Sequence, residues 1–349
     1  MTGARLNERE IIARAYGLGF DLVGITRLGP VGTAPAFERW LAEGRAGEMG
    51  WLERGAAKRE DSRLPVPGAT SAIVVALDYG GREPDGPVAR YARGTDYHDL
   101  MVDRLRELQR ELGEMRGEPV AGKAYVDTGP ILERDLAGRA GLGWFGKNTM
   151  LINPGLGSFF FLGALLVELD LEPSAPFEAD RCGSCTRCLD ACPTGALVAP
   201  RELDATLCIS YLTIEIKGEI PTALREGVGE HIYGCDICQE VCPWNISFAR
   251  EVKEAEFEAR EVLTGKDSRT LARELLAMTQ EEFSAGFAKS PMKRAKLRGL
   301  KRNAAVVLGN IGAVEDVAAL EQAIEDPEPL LSEHARWALD SLRARGSAG

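Results

Sequence analysis

Residues 182–193 read Cys-Gly-Ser-Cys-Thr-Arg-Cys-Leu-Asp-Ala-Cys-Pro, and residues 235–243 read Cys-Asp-Ile-Cys-Gln-Glu-Val-Cys-Pro. With Cys208 between them, these runs hold all eight cysteines of a 349-residue chain. The spacing C-x2-C-x2-C-x3-C-P is the one that wraps thiolates around a [4Fe–4S] cube, and in two-cluster proteins the fourth cysteine of a run serves the other cube. On that rule the first cluster takes Cys182, Cys185, Cys188 and Cys242. The second run lacks its leading cysteine and Cys208 is the spare thiol, so the second cluster takes Cys192, Cys208, Cys235 and Cys238. Structural zinc has no use for a third cysteine at x2 or for the trailing x3-C-P. A disulfide framework belongs to small secreted chains, and this chain opens without a basic, then apolar, leader. Low-potential clusters and exposed thiolates point to a reducing compartment, hence to the cytoplasm.

Working outward, the chain divides into three expected units. Residues 1–170 alternate helical and strand patterns: a helix over Leu6–Leu18, short apolar strands at Phe20–Ile25 and Ser71–Leu77, and an amphipathic helix over Asp99–Met115. Then come a strand at Ala124–Asp127, a helix at Leu132–Ala140 and a strand at Phe159–Glu168. Such alternation predicts an α/β domain. Residues 171–250 start with a Pro-bearing linker and form a ferredoxin-like double-cluster domain. Residues 251–349 are helical by pattern; Leu300–Gly309, Ala318–Ile324 and Glu333–Leu342 read as stacked helix pairs of the HEAT type. The greasiest stretch, Ser158–Val167, is too short for a membrane span, so no membrane association is expected.

A net charge of −11 argues against a general nucleic-acid binder, but the average hides a local excess. Lys289, Lys293, Arg294, Lys296, Arg298, Lys301 and Arg302 crowd into fourteen residues, and Lys289–Val314 contains no acid. The i, i+4, i+8 spacing of Arg294, Arg298 and Arg302 predicts one ridge on a helix. A solvated helix face is the plain reading; a phosphate-binding ridge is the sharper one, because phosphates would relieve the repulsion.

Asp127 has two readings as well. It follows an apolar strand, where ligands and reactive groups gather, but Asp127-Thr128-Gly129-Pro130 also suits the N-cap of the next helix. A capping Asp is ionised; an acid catalyst needs burial or a covering ligand to raise its pKa. The glycines of Gly141–Asn148 suit either a backbone brought close to a flat ligand or an ordinary helix-ending loop.

Four strings, Tyr125–Arg134 (YVDTGPILER), Ala140–Asn148 (AGLGWFGKN), Ser158–Gly163 (SFFFLG) and Cys208–Glu215 (CISYLTIE), join the cysteine pattern, Tyr233–Trp244 and the helical tail. Together they resemble the epoxyqueuosine reductase family over nearly the whole chain. The resemblance implies reduction of the epoxide of epoxyqueuosine, at the wobble position of a tRNA anticodon stem-loop, to queuosine. It makes residues 1–170 a cobalamin-binding catalytic domain and residues 251–349 a tRNA-contacting one. It implies Asp127 as proton donor, and Tyr97, Asp127, Lys147, Asn148, Leu151, Ser210 and Asp236 as cobalamin contacts. It further implies an external one-electron donor of flavodoxin or ferredoxin type, and a monomer. The sequence holds three histidines, His98, His231 and His334, and Asp96–Met101 departs from the cobalamin pattern D-x-H-x-x-G by placing Met101 where Gly belongs. Both facts agree with the family's base-off cobalamin, which takes no protein histidine; His98 is expected to be structural. A reductive dehalogenase also pairs cobalamin with two clusters, but it is usually exported with a twin-arginine leader and has no use for the basic stretch. The other rival, a ferredoxin-type electron carrier, would bind no corrin.

Overall fold

The computed structural model describes residues 6–346. Met1–Arg5, part of the stretch read as leaderless, and Ser347–Gly349 lie outside the described residues. Six strands belong to the first half: β1 (Leu22–Arg27), β2 (Ser71–Asp78), β3 (Gly122–Tyr125), β4 (Trp144–Phe145), β5 (Leu151–Ile152) and β6 (Phe160–Val167). Four of them form one sheet in the order β1-β2-β6-β3, with Val75 opposite Val23 on one side and Gly163 on the other. Strand and helix alternate as the patterns predict, yet every pairing in this sheet is antiparallel. The direction was illegible because β2 is buried at every position. An antiparallel strand shows alternating polarity only when one face meets water.

Successive side chains leave a strand on opposite faces, and both faces of β2 are covered. Ile73, Val75 and Leu77 pack with Met101, Leu105, Leu108 and Leu112 of the helix Tyr97–Arg116. Ala72, Val74 and Ala76 pack with Leu136 and Ala137 of the helix Glu133–Arg139. The long helix starts where Asp96 accepts the His98 backbone N–H at 3.1 Å, and stops at Gly117 with φ +77°. That start fixes Tyr97 and His98 at the end of the sheet.

The cysteine region is built of short helices, among them Arg187–Asp190, Ile209–Ile214, Ile237–Glu240 and Pro243–Phe248. The last third contains the helices Ser268–Ala277, Gln280–Gly286, Lys296–Ile311, Val317–Ile324 and Pro329–Gly346. The core of this helical tail is shared with the rest of the chain. Leu271, Leu300, Val307 and Ala335 belong to one apolar cluster with Val88, Ile214, Ile232 and Tyr233. Buried Asn303 then donates to the carbonyls of Thr213 and Ile232, both at 2.8 Å. No helix among the described residues is long and apolar enough to cross a membrane.

Candidate functional site

The folded cysteine region brings its sulfurs together in two groups. Cys182, Cys185, Cys188 and Cys242 line one cavity of about 220 Å³, with Lys147, Asn148, Arg181, Arg187 and Trp244 around them. These are the four that the spacing rule joins. The remaining thiols neighbour each other: Cys235 senses Cys208 and Cys192, and Cys238 senses Cys235 and Cys208. Burial first, and then the other thiols, push Cys235 up to about 12 and Cys238 well above its usual value. Thiols held high in this way ionise readily only against a cationic metal centre. Cys208 and Cys242 are the N-cap residues of the helices Ile209–Ile214 and Pro243–Phe248. There the backbone N–H groups of Ser210 and Tyr211, and of Trp244 and Asn245, reach the two sulfurs. Cys208, which comes from outside both runs, and Cys242, the fourth cysteine of its run, thus meet the start of a helix in the same way. Among the described residues, no three His, Cys, Asp or Glu side chains converge as around a single ion; a cube spaces its thiolates more widely.

Asp127 stands beyond the end of β3, in the left-handed region at φ +55°. The capping alternative fails. The following helix begins at Glu133 with Leu132 as N-cap and no side-chain cap. Instead the Tyr97 hydroxyl donates to Asp127 Oδ2 at 3.0 Å, and its ring stacks on Phe161 of β6 at 3.8 Å. His98 Nε2 faces the same Oδ2 at 3.7 Å, an ion-pair distance that is long for a hydrogen bond. His98 Nδ1 meets Asp96 at 2.6 Å. Burial opposes protonation of His98, but Asp127 and Asp96 outweigh it and raise the ring to about 9. In turn His98 holds the Asp127 carboxyl below the usual range, against the desolvation imposed by the surrounding protein. The Asp127 side chain is still 67% exposed, so it sits in a recess that opens outward. His98, expected as a structural residue, is part of this site.

Two further groups of the recess are residues that sequence reasoning passed over. Glu133 Oε1 is enclosed without a hydrogen-bond partner. Desolvation, then the Asp127 charge, raises Glu133 from 4.5 to about 7. Trp51, 37% exposed, lies under the Arg294 guanidinium at 5.0 Å, and Arg294 also acts on Asp127. The Glu133 signal was available in YVDTGPILER; Trp51 is distant in sequence and carried none.

The expected cofactor contacts separate. Tyr97 and Asp127 form the recess, and Ser210 sits beside Cys208, to whose sulfur it donates. Lys147 Nζ instead donates to the carbonyls of Gly183 and Cys185 at 2.6 and 2.9 Å. Asn148 is buried and donates to the Cys238 carbonyl at 3.3 Å. Leu151 is buried in β5 against the helix-covered face of the sheet. Asp236 is 2% exposed and bound by Arg90, whose backbone N–H donates at 2.8 Å. The glycines of the 141–148 loop answer to the chain itself. A Cβ on Gly141 would meet the Ala175 carbonyl oxygen at 2.5 Å, and one on Gly143 the Ile152 carbonyl oxygen at 2.2 Å.

The basic ridge does not form as expected. Arg294 lies in a 3-10 turn, Pro291–Ala295, and the α-helix starts only at Lys296, whose φ is +59°. That break puts the three arginines out of phase. Arg302 is 1% exposed and donates to the carbonyls of Leu212, Ile216 and Gly218. Arg294 pairs with Glu215, and Arg298 with Glu328. Lys289, Lys293 and Lys296 are exposed, while Lys301 is half-buried. The Lys289 carbonyl accepts the Asp96 N–H at 2.8 Å, which ties this lysine stretch to the Asp127 corner.

Comparison with known proteins places this arrangement. Residues 181–245 match the family model of a 4Fe-4S double cluster binding domain, and residues 59–128 match that of epoxyqueuosine reductase QueG. An epoxyqueuosine reductase of Xanthomonas campestris is 44% identical over 92% of either chain. That of Escherichia coli K12 is 40% identical over 95% of this chain and 88% of its own. A crystal structure of epoxyqueuosine reductase with an epoxyqueuosine-modified tRNA-Tyr stem loop superposes with a TM-score of 0.85, at 32% identity, over 96% of this chain and 90% of that one. The Bacillus subtilis enzyme, crystallised with its catalytic aspartate loop swung out of the active site, also gives 0.85, at 33% identity and the same coverage. The chain belongs to the epoxyqueuosine reductase family of oxidoreductases.

Proposed function

We propose that the chain reduces the epoxide of epoxyqueuosine in a tRNA anticodon loop to the alkene of queuosine, in the cytoplasm. The balance is one epoxide, two electrons and two protons giving one alkene and one water. The observation that carries the reading is the Asp127 corner: an outward-facing carboxylate held by Tyr97 and faced by a protonated His98, in the fold of an enzyme crystallised with this modified stem loop.

The cysteines fit two [4Fe–4S] clusters, with Cys182, Cys185, Cys188 and Cys242 holding one around their shared cavity. Cys192, Cys208, Cys235 and Cys238 hold the other. Glu133 Oε1 and His98 Nε2 both lack a hydrogen-bond partner at this recess, which suits a polar ligand such as cobalamin, base-off by the family resemblance. Tyr97, Asp127 and Ser210 would touch the cofactor, while Lys147, Asn148 and Asp236 brace the loops that hold the clusters. Bound there, cobalamin supplies a metal reducible enough to open an epoxide.

The residues of the chain supply the first proton, to the opening epoxide oxygen, and solvent supplies the second, which turns the departing oxygen into water. An alkoxide is a poor leaving group, so its oxygen needs an acid in reach. The proton rests on His98 and passes through Asp127 to the departing oxygen, with Tyr97 fixing the carboxylate. Exposed Lys289, Lys293 and Lys296 take phosphates of the stem loop, and Trp51 with Arg294 offers a stacking plane for an unpaired base. The test is the tRNA of a strain lacking this chain. Accumulated epoxyqueuosine in its digest, cleared by adding the chain back, is the expected result; unchanged queuosine overturns the reading.

A further inference from the structure

The surface around the first cysteine cavity differs from the rest of the molecule. Trp244 lines the cavity and stacks on Phe248 at 5.7 Å, one helical turn further along Pro243–Phe248. Phe248 is 40% exposed, and between them Ile246 is 66% exposed, among the most exposed large apolar side chains of the described residues. On the inner side, Trp244 meets Trp144 edge-on at 5.0 Å, and Trp144 Nε1 donates to the Cys182 sulfur at 3.4 Å. An apolar, aromatic path therefore runs from open surface to a cluster-ligand thiol.

Charge surrounds this path in a particular way. Arg181 and Arg187 line the same cavity and are both exposed. Of the acids nearby in sequence, Asp180 is paired by Arg201 at 2.5 Å, while Asp190, which accepts the Thr186 hydroxyl at 2.8 Å, and exposed Glu178 keep their charge and set the edge of the positive patch. A net charge of −11 makes a positive rim here a local exception. Apolar centre, aromatic anchors and arginine edge are the composition of a transient protein interface. The surrounding negative field would repel an acidic partner except where the arginines admit it, which selects one orientation.

We propose that Trp244, Ile246 and Phe248, rimmed by Arg181 and Arg187, dock a small acidic one-electron carrier protein that delivers electrons to the cluster of Cys182, Cys185, Cys188 and Cys242. This rests on the reading that electrons enter through the clusters. Each encounter oxidises the carrier by one electron and reduces the cluster by one, so two encounters serve one epoxide.

The experiment uses the cluster-loaded full chain with an acidic flavodoxin as probe. Calorimetry gives its Kd, and stopped-flow absorbance gives the rate of cluster reduction by flavodoxin hydroquinone and, separately, by dithionite. Ile246→Asp, which alters an exposed side chain and leaves the core intact, weakens flavodoxin binding at least tenfold and slows its reduction of the cluster. Reduction by dithionite and dithionite-driven epoxide turnover stay at the wild-type level. Arg187→Glu also weakens the complex and removes most of its salt dependence. Wild-type Kd in both variants overturns the docking site. Loss of dithionite-driven turnover in the wild-type chain would instead strike at the epoxide reading, whatever the flavodoxin does.

Discussion

Asp127 and His98 share one proton between groups that pull each other in opposite directions: the ring is raised to about 9 and the carboxyl is lowered. Replacing Asp127 with Asn leaves cofactor binding intact and cuts kcat by about 10²–10⁴, the range lost with a positioned acid; single-turnover assays on a modified stem loop measure it. His98→Gln removes the proton store. The alkaline limb of the kcat–pH profile, set near 9 by His98, then moves down toward the carboxylate range, and activity at neutral pH falls. Glu133 makes a separate pH statement. The folded chain holds its proton more tightly than the unfolded chain, so the stability from this group is full below pH 4.5 and is lost as pH rises through about 7. Glu133→Gln flattens that decline, by up to about 3 kcal/mol, in denaturant melts taken across this window.

At the scale of elements, the stretch from Lys289 to Arg302 is two devices joined by a break at Lys296. Its lysines face water beside the Asp127 corner, while Arg302 points inward and satisfies three carbonyls of the cysteine region. Changing Lys289, Lys293 and Lys296 to Gln should lower the slope of log K against log salt for stem-loop binding by about 2, from about 0.7 per phosphate contact on single-stranded RNA. Arg302→Met should leave that slope unchanged and lower stability by about 1–3 kcal/mol, as when buried carbonyls lose their donor. Binding titrations at several salt concentrations and chemical melts separate the two. Helical periodicity described this segment poorly because a 3-10 turn precedes the α-helix, and a positive φ at Lys296 resets the phase.

For the whole molecule, the double-cluster region is where stability depends most on bound metal. Its helices are only a few residues long, and its cysteines are held high by burial and by one another. Metal binding to such a region is folding free energy. Stripping the iron should therefore raise amide exchange across residues 182–248, while β2 and β6, buried between two helical layers, keep their protection; exchange mass spectrometry reads both. The cysteine spacing determined the cluster chemistry and the pairing of Cys242 with the first run, because four thiolates around a cube leave few spacings open. The family strings determined Asp127 as the residue to watch. Apolar runs marked the strands, but not their direction, since a strand buried on both faces carries no pattern that distinguishes parallel from antiparallel neighbours. Only the tertiary structure decided that Asp127 caps no helix, that His98 and Glu133 complete its recess, and that the loop glycines serve the chain's own packing. It alone turned Arg302 inward. In each case the deciding contact joins residues far apart in sequence or across an irregular turn, and local periodicity holds no record of such contacts.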